Sequence, residues 1–142
     1  MPPVDLRIQP VPDLIRTVII SYGDGHQDAP RGSALRVDAR ALRNPPEDPA
    51  VRARMLLANG LDPDVRDYVL ATPGADQLID RSFNRALALL ALPDPYRVDI
   101  HVLCGGGRHR SVVVAEELAA RIRNVGYGVE TEHWHIDRPI LT

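Results

Sequence analysis

The chain has 142 residues, about the size of one domain, with 44% hydrophobic and 25% charged residues and a formal net charge of −2. This is the composition of an ordinary globular protein; it argues against a membrane span, which needs an apolar run of about 18 residues, and against an indiscriminate polyanion binder, which needs many cationic contacts. A single cysteine excludes an internal disulfide and the N-terminus has no secretory-signal pattern, so we expect a cytoplasmic protein.

The N-terminal region is predicted to be an extended lead-in followed by a strand. Residues 1–13 contain four prolines and little apolar periodicity, so the domain proper is expected to occupy residues 14–142. Residues 14–22 are rich in β-branched side chains and run into a glycine-rich loop. That loop contains His26, and loops at the carboxyl ends of strands commonly line sites in α/β sheets.

A second strand is predicted over residues 34–42, where apolar and polar residues alternate. Asp38 and Arg40 stand two positions apart and would share one face of that strand. They either point into a site or form a surface ion pair.

The middle of the chain is predicted to be helical. Two Asp-Pro pairs each provide a capping carboxylate followed by the proline favoured at the first helical position. The predicted helices are residues 50–58 after Asp48-Pro49, residues 63–71 after Asp62-Pro63, and residues 74–92.

The C-terminal region is predicted to add a strand over residues 98–103, a helix over residues 112–123 and a strand over residues 129–136. Strands interleaved with helices predict a single α/β domain with a mostly parallel sheet of about four strands. His133 and His135 would share a face of the last strand, but two histidines are a weak zinc site. We therefore expect no metal and no cofactor.

The strongest functional signal is the segment Cys104-Gly105-Gly106-Gly107-Arg108-His109-Arg110-Ser111. Consecutive glycines between a strand and a helix allow backbone N–H groups to converge into an anion-binding nest, and the helix N-terminus adds partial positive charge. The cationic side chains add donors, and an arginine can grip an oxyanion through two parallel bonds. The predicted ligand-binding residues are Gly105, Gly106, Gly107, Arg108, His109, Arg110 and Ser111, joined by His26.

The same residues fit the pattern Cys-x-x-Gly-x-x-Arg-Ser and resemble the phosphate loop of cysteine-dependent phosphatases. That resemblance implies that Cys104 is a nucleophile and that Arg110 clamps the transferring phosphoryl group. The loop departs from the pattern in having Leu103 where those enzymes usually carry histidine, and no aspartate stands in a recognisable general-acid motif. The alternative is that Cys104 is a small apolar residue ending a buried strand, which is the interpretation we prefer.

A wider resemblance covers residues 18–133. The order of several short motifs is similar to that of the C-terminal domain of the RNase adapter RapZ family. The motifs are Ile20-Ser21-Tyr22-Gly23, Val37-Asp38-Ala39-Arg40, Asn44-Pro45, Asp48-Pro49, Gly60-Leu61-Asp62, Cys104 through Ser111, and Ala115-Glu116. Family members generally carry an N-terminal domain with a Walker-type loop, which this sequence lacks.

The resemblance implies a binding or adapter domain that recognises an amino sugar phosphate or a nucleotide sugar, and not an enzyme. It also implies self-association, a separate nucleotide-binding protein as partner and, in some members, regulatory RNA. The family loop usually has a hydroxyl residue at Gly105 and a lysine at Arg108, and both replacements keep an anion site. The basic tail of RNA-binding members is replaced here by residues 135–142 with one arginine, which predicts weak RNA affinity. The alternatives are the phosphatase and, third, the RNA-binding adapter.

Overall fold

The computed structural model describes residues 14–42, 49–93 and 97–138. They form a single α/β domain around a parallel sheet of four strands, in the order β2-β3-β1-β4. The strands are β1, Ile15–Gly23; β2, Leu35–Asp38; β3, Val98–Cys104; and β4, Gly128–His133. The predicted fold class is confirmed, while the lead-in, the Asn44-Pro45 motif and the capping residue Asp48 lie outside the described residues.

Four α-helices are present in the described residues, and all of them were predicted; a short 3-10 helix, Asp24–His26, was not. The α-helices are α1, Pro49–Leu56; α2, Pro63–Leu70; α3, Ala75–Leu90; and α4, Arg110–Asn124. The Asp62 carboxylate accepts a hydrogen bond from the Asp64 N–H at 2.9 Å and so caps α2 as expected. None of these helices is long and apolar enough to cross a membrane.

The core lies between the sheet and the helices packed on it. Helix α4 crosses β1, β3 and β4, and α3 covers the side of β3 and β2. Leu118 and Ile122 of α4 and Ile19 and Ile100 of the central strands are fully buried; each such side chain contributes about 1.5–3 kcal/mol on burial. The central strands are therefore firmly held, and their carboxyl ends lie side by side, with Gly23 paired to Cys104.

Two predicted strands extend further than the observed ones. Strand β2 ends at Asp38 because the Asp38 carboxylate accepts the backbone N–H of Arg40 at 3.0 Å, which turns the chain. Strand β4 ends at His133, and residues 134–137 form a turn. The prediction that His135 shares a strand face with His133 is therefore wrong.

Candidate functional site

The glycine-rich segment joins the end of β3 to the start of α4, beside the end of β1. Cys104 is the last residue of β3, and α4 begins at Arg110. The predicted strand, turn and helix are confirmed. We call residues 104–111 the anion loop.

The anion loop lies directly against the backbone of Gly23. A Cβ at Gly23 would come within 2.4 Å of the Gly106 carbonyl carbon, and a Cβ at Gly107 within 2.6 Å of the Gly23 nitrogen. Gly107 also has a φ of +80°, which side chains rarely adopt. Glycine is required at both positions because two backbones meet there.

The carbonyl groups of the anion loop point outward, to neighbouring segments. Four of them accept hydrogen bonds of 2.7–3.1 Å from donors outside the loop or from the helix that follows it. The pairs are Gly105 O with Gly25 N, Gly106 O with His26 Nε2, Arg108 O with Gly60 N, and His109 O with Val113 N.

The N–H groups of the same peptides point to the opposite side, because C=O and N–H are antiparallel in a trans peptide. Those N–H groups belong to Gly106, Gly107, His109 and Arg110. Gly107 donates to the Cys104 sulfur at 3.2 Å, whereas the N–H groups of Gly106, His109 and Arg110 have no acceptor among residues 14–42, 49–93 and 97–138. We call the side of the loop away from these bonded carbonyls the inner side; peptide geometry leaves the three N–H groups as donors there.

Cys104 lies at the base of the anion loop and is 2% exposed. Its S–H donates to the Ser111 hydroxyl at 3.1 Å, and its sulfur accepts the Gly107 N–H. Ser111 is also fully buried. These contacts fix the loop to the helix that follows it.

Arg110 is half-buried, and its guanidinium is held from one side. Its Nη1 donates to the carbonyls of Arg40 at 2.9 Å and Leu42 at 3.0 Å. Its Nε is buried and has no partner in the part of the chain that the structure describes. Its Nη2 lies beside Gly105, 3.5 Å from where a Cβ at that residue would be. The Nε and Nη2 edge is the one that forms paired bonds with an oxyanion.

Arg108 and His109 direct their side chains away from the inner side of the loop. Arg108 donates to the carbonyls of Arg138 and Ala58, both at 3.2 Å. His109 is 8% exposed, and its Nε2–H donates to Met55 O at 2.8 Å and Ala58 O at 3.0 Å. Burial lowers the pKa of His109 despite these bonds. These two residues attach the loop to the end of α1.

His26 and His135 support the glycine half of the loop. Their rings are in contact in a tilted arrangement, with centroids 4.7 Å apart and an interplanar angle of 42°. His135 is fully buried; its Nδ1 accepts the Gly23 N–H at 2.8 Å and its Nε2 lies 3.4 Å from the Asp28 carboxylate. Burial lowers the pKa of His135. This role was not predicted, because the sequence pattern placed His135 on a strand.

The Asp38–Arg40 pair and His133, the other polar residues singled out from the sequence, lie outside the loop. Arg40 pairs with Asp38, Nη2 to Oδ2 at 2.7 Å, at an exposed position, and this hydrogen bond lowers the pKa of Asp38. The pair is on the surface, as one of the two predicted alternatives stated. His133 Nδ1 lies 2.6 Å from the buried Ser21 hydroxyl, and its Nε2 lies 3.3 Å from the Glu116 carboxylate.

The chain is similar to one described family and to several proteins that share one name. The family model described as the RapZ C-terminal domain matches residues 15–137. A "Nucleotide-binding protein" of Thermobifida fusca is 37% identical over 128 residues, covering 87% of this chain and 42% of that protein. One of the same name from Sphingopyxis alaskensis is 38% identical, covering 84% and 37%.

A third relative, from Frankia casuarinae, is 35% identical over 134 residues and also carries the name "Nucleotide-binding protein". The match covers 92% of this chain and 44% of that protein. The chain thus spans less than half the length of each of these relatives.

Proposed function

The chain belongs to the RapZ C-terminal domain family, and from this premise we propose that it binds a phosphorylated metabolite in the anion loop. The ligand is an amino sugar phosphate or a nucleotide sugar, and the domain acts as a binding or adapter module. The relatives are named for nucleotide binding, which is why nucleotide sugars belong to the proposed ligand class.

The guanidinium of Arg110 carries this proposal. One nitrogen is fixed by two carbonyls, so the group is already oriented before any ligand arrives. The edge formed by Nε and Nη2 has no partner in the described residues, and a buried unpaired donor is costly. A phosphate oxygen is the acceptor that satisfies this edge best.

The backbone of the loop favours the same ligand. N–H groups of Gly106, His109 and Arg110 face the inner side, and the N-terminus of the 15-residue helix α4 contributes partial positive charge. His109 provides no side-chain cap to this helix, so its first N–H groups remain available to a ligand. A dianion bound on the inner side would accept these N–H groups together with the free edge of Arg110.

The test is a binding titration with inorganic phosphate, glucosamine phosphate, other sugar phosphates and nucleotide sugars. Arg110→Ala should weaken the best ligand by about ten- to a hundredfold, the equivalent of a charge-assisted bond of about 1.5–3 kcal/mol. Arg81→Ala, which removes an exposed arginine of α3, is the matched control and should bind as the unmodified protein does. Equal affinity of the Arg110 variant and the control would refute the proposal.

The surroundings of Cys104 favour a second candidate, a cysteine-dependent phosphatase. The sulfur lies within 3.2 Å of both the Ser111 hydroxyl and the Gly107 N–H. Two donors at that position would stabilise a thiolate nucleophile, and Arg110 would clamp the phosphoryl group. In that reaction the thiol gives up its proton and the sulfur attacks phosphorus, the P–O bond breaks and the alcohol leaves with a proton equivalent to the one the thiol lost, and water then cleaves the S–P bond to give phosphate and the free thiol.

Turnover distinguishes the two candidates. A phosphatase hydrolyses an activated aryl phosphate, shows a burst of product and loses turnover in Cys104→Ser while still binding the ligand. A binding module shows no cysteine-dependent turnover, and Cys104→Ser leaves ligand affinity nearly unchanged.

A further inference from the structure

The anion loop is attached on its outer side to the connection between α1 and α2, residues 57–62. Gly60 N–H donates to Arg108 O at 2.7 Å. A Cβ at Gly60 would come within 2.6 Å of Val112 Cβ and 2.7 Å of His109 O, so this connection lies directly on the loop and the first turn of α4.

The side chains of Arg108 and His109 strengthen that attachment. They donate to carbonyls at the end of α1, which have no further helical turn to bond to. His109 contacts Met55 O and Ala58 O, and Arg108 contacts Ala58 O. The end of α1 is thus held by residues of the anion loop.

Helix α1 packs on the domain through Met55 and through the partly buried Val51, which lies against the core. Met55 is its one buried residue among those described. The end of the helix and the connection expose three leucines, Leu56 at 48%, Leu57 at 90% and Leu61 at 56%. Segments with few buried contacts open locally at low free-energy cost, so we expect the connection, with its exposed leucines, to depend on its attachment to the loop.

One peptide group belongs to both the loop and the attachment. The peptide between Arg108 and His109 has its C=O bonded to Gly60, and its N–H points the opposite way because the two groups are antiparallel in a trans peptide. An anion that accepts this N–H polarises the peptide and strengthens the bond made by its C=O, because hydrogen bonds in a chain reinforce one another.

We propose that Arg108 and His109 couple occupation of the anion loop to the α1–α2 connection, so that a bound phosphate tightens this connection and the leucines beside it. The proposal rests on the proposed function, since it needs an anion in the loop. By reciprocity, attachment of the connection strengthens phosphate binding by the factor by which phosphate favours attachment, so loosening the connection should weaken phosphate binding.

The first test is amide hydrogen exchange of the full chain with and without inorganic phosphate. The amides of Gly60 and of the anion loop should exchange more slowly with phosphate. The amide of Ala39, which bonds to Leu103 O outside the loop, is the control and should not change. Protection of the loop without protection of Gly60 would overturn this inference and leave the proposed function intact; no protection of either would overturn both.

The second test uses variants of His109. His109→Ala removes the donor to α1 and should reduce phosphate affinity by about fivefold, within the usual range of coupling between sites, with loss of the protection at Gly60. His109→Gln keeps an N–H donor and should restore most of both. His101→Gln, which alters a buried histidine of β3, is the matched control and should behave as the unmodified protein does.

A folded His109→Ala protein with full affinity and a protected Gly60 would contradict the coupling. If that variant does not fold, the glutamine variant and the exchange of the unmodified protein decide the matter. Unaltered exchange at Gly60 in the unmodified protein is sufficient to reject the proposal.

Discussion

The two halves of the anion loop are held in place by different kinds of contact. Gly105–Gly107 packs backbone to backbone against Gly23, with His26 and His135 beside it. Residues 108–110 are instead held by long side chains that reach the carbonyls of other segments. In the first half Gly107 has no space for a Cβ, whereas the second half depends on donors that a substitution can remove or replace.

The largest effect is expected where the first half has no space. Gly107→Ala places a Cβ within 2.6 Å of the Gly23 nitrogen at a φ of +80°. It should lower the free energy of unfolding by about 3 kcal/mol or more, from overpacking and backbone strain together. Urea unfolding measures this.

The matched control is Gly106→Ala, where a Cβ would meet no atom within 4 Å. Its free energy of unfolding should change by less than about 1 kcal/mol. Similar values for the two variants would show that backbone contact does not hold this half of the loop.

A smaller effect is expected from removing the support behind the glycines. His135→Ala creates a cavity and leaves the buried Gly23 N–H without its acceptor. The free energy of unfolding should fall by about 2–3 kcal/mol. His135→Asn keeps an oxygen near the position of Nδ1 and should recover part of this loss in the same unfolding experiment; an asparagine variant no more stable than the alanine variant would argue that ring packing alone matters.

The pH dependence of stability compares the two halves directly. Burial lowers the pKa values of His135 in the first half and His109 in the second, and also that of His101 in β3. The unfolded chain therefore binds more protons below pH 6.5, so stability is complete above that pH and declines as pH falls. The slope is at most about 1.4 kcal/mol per pH unit for each histidine.

Unfolding titrations between pH 7.5 and 5.5 test this expectation. His109→Gln and His135→Asn should each reduce the slope by one histidine's share. A stability that rises on acidification would contradict the neutral state assigned to these rings.

The smallest effect gives a reference for side-chain contacts outside the loop. Arg66 of α2 lies 3.0 Å from the Glu117 carboxylate of α4, with half of its side chain exposed. Arg66→Gln should lower the free energy of unfolding by less than about 1 kcal/mol. If Arg66→Gln lowered the free energy of unfolding more than Arg108→Gln does, side-chain contacts would be no more important in residues 108–110 than elsewhere on the surface.

The strand, turn and helix of the anion loop could be predicted because their signals are local. An apolar strand, three glycines and an amphipathic helix follow one another in the sequence, and each restricts the backbone by itself. The same holds for the Asp62 cap of α2. The family resemblance was found in the same way, from short motifs in a fixed order, and the family match confirms it.

The directions of the side chains could not be predicted because they depend on distant residues. Arg108, His109 and Arg110 are neighbours in sequence, yet two contact the end of α1 and one contacts the residues after β2. His135 lies in the turn after β4, and the residues it contacts, Gly23 and Asp28, are 112 and 107 positions away in the sequence. Gly60 stands in one of the short family motifs, and the sequence contains no signal that a loop packs against it.

The order of the strands has a consequence for how the chain folds. Strand β1 is central, yet both of its neighbours, β3 and β4, come from the last third of the chain. During synthesis β1 emerges early and remains without partners until nearly the whole domain has been made. Such distant pairings make folding slow and leave an apolar strand exposed in the meantime. The strand that supports the anion loop is therefore also the segment most at risk of aggregation before the domain is complete.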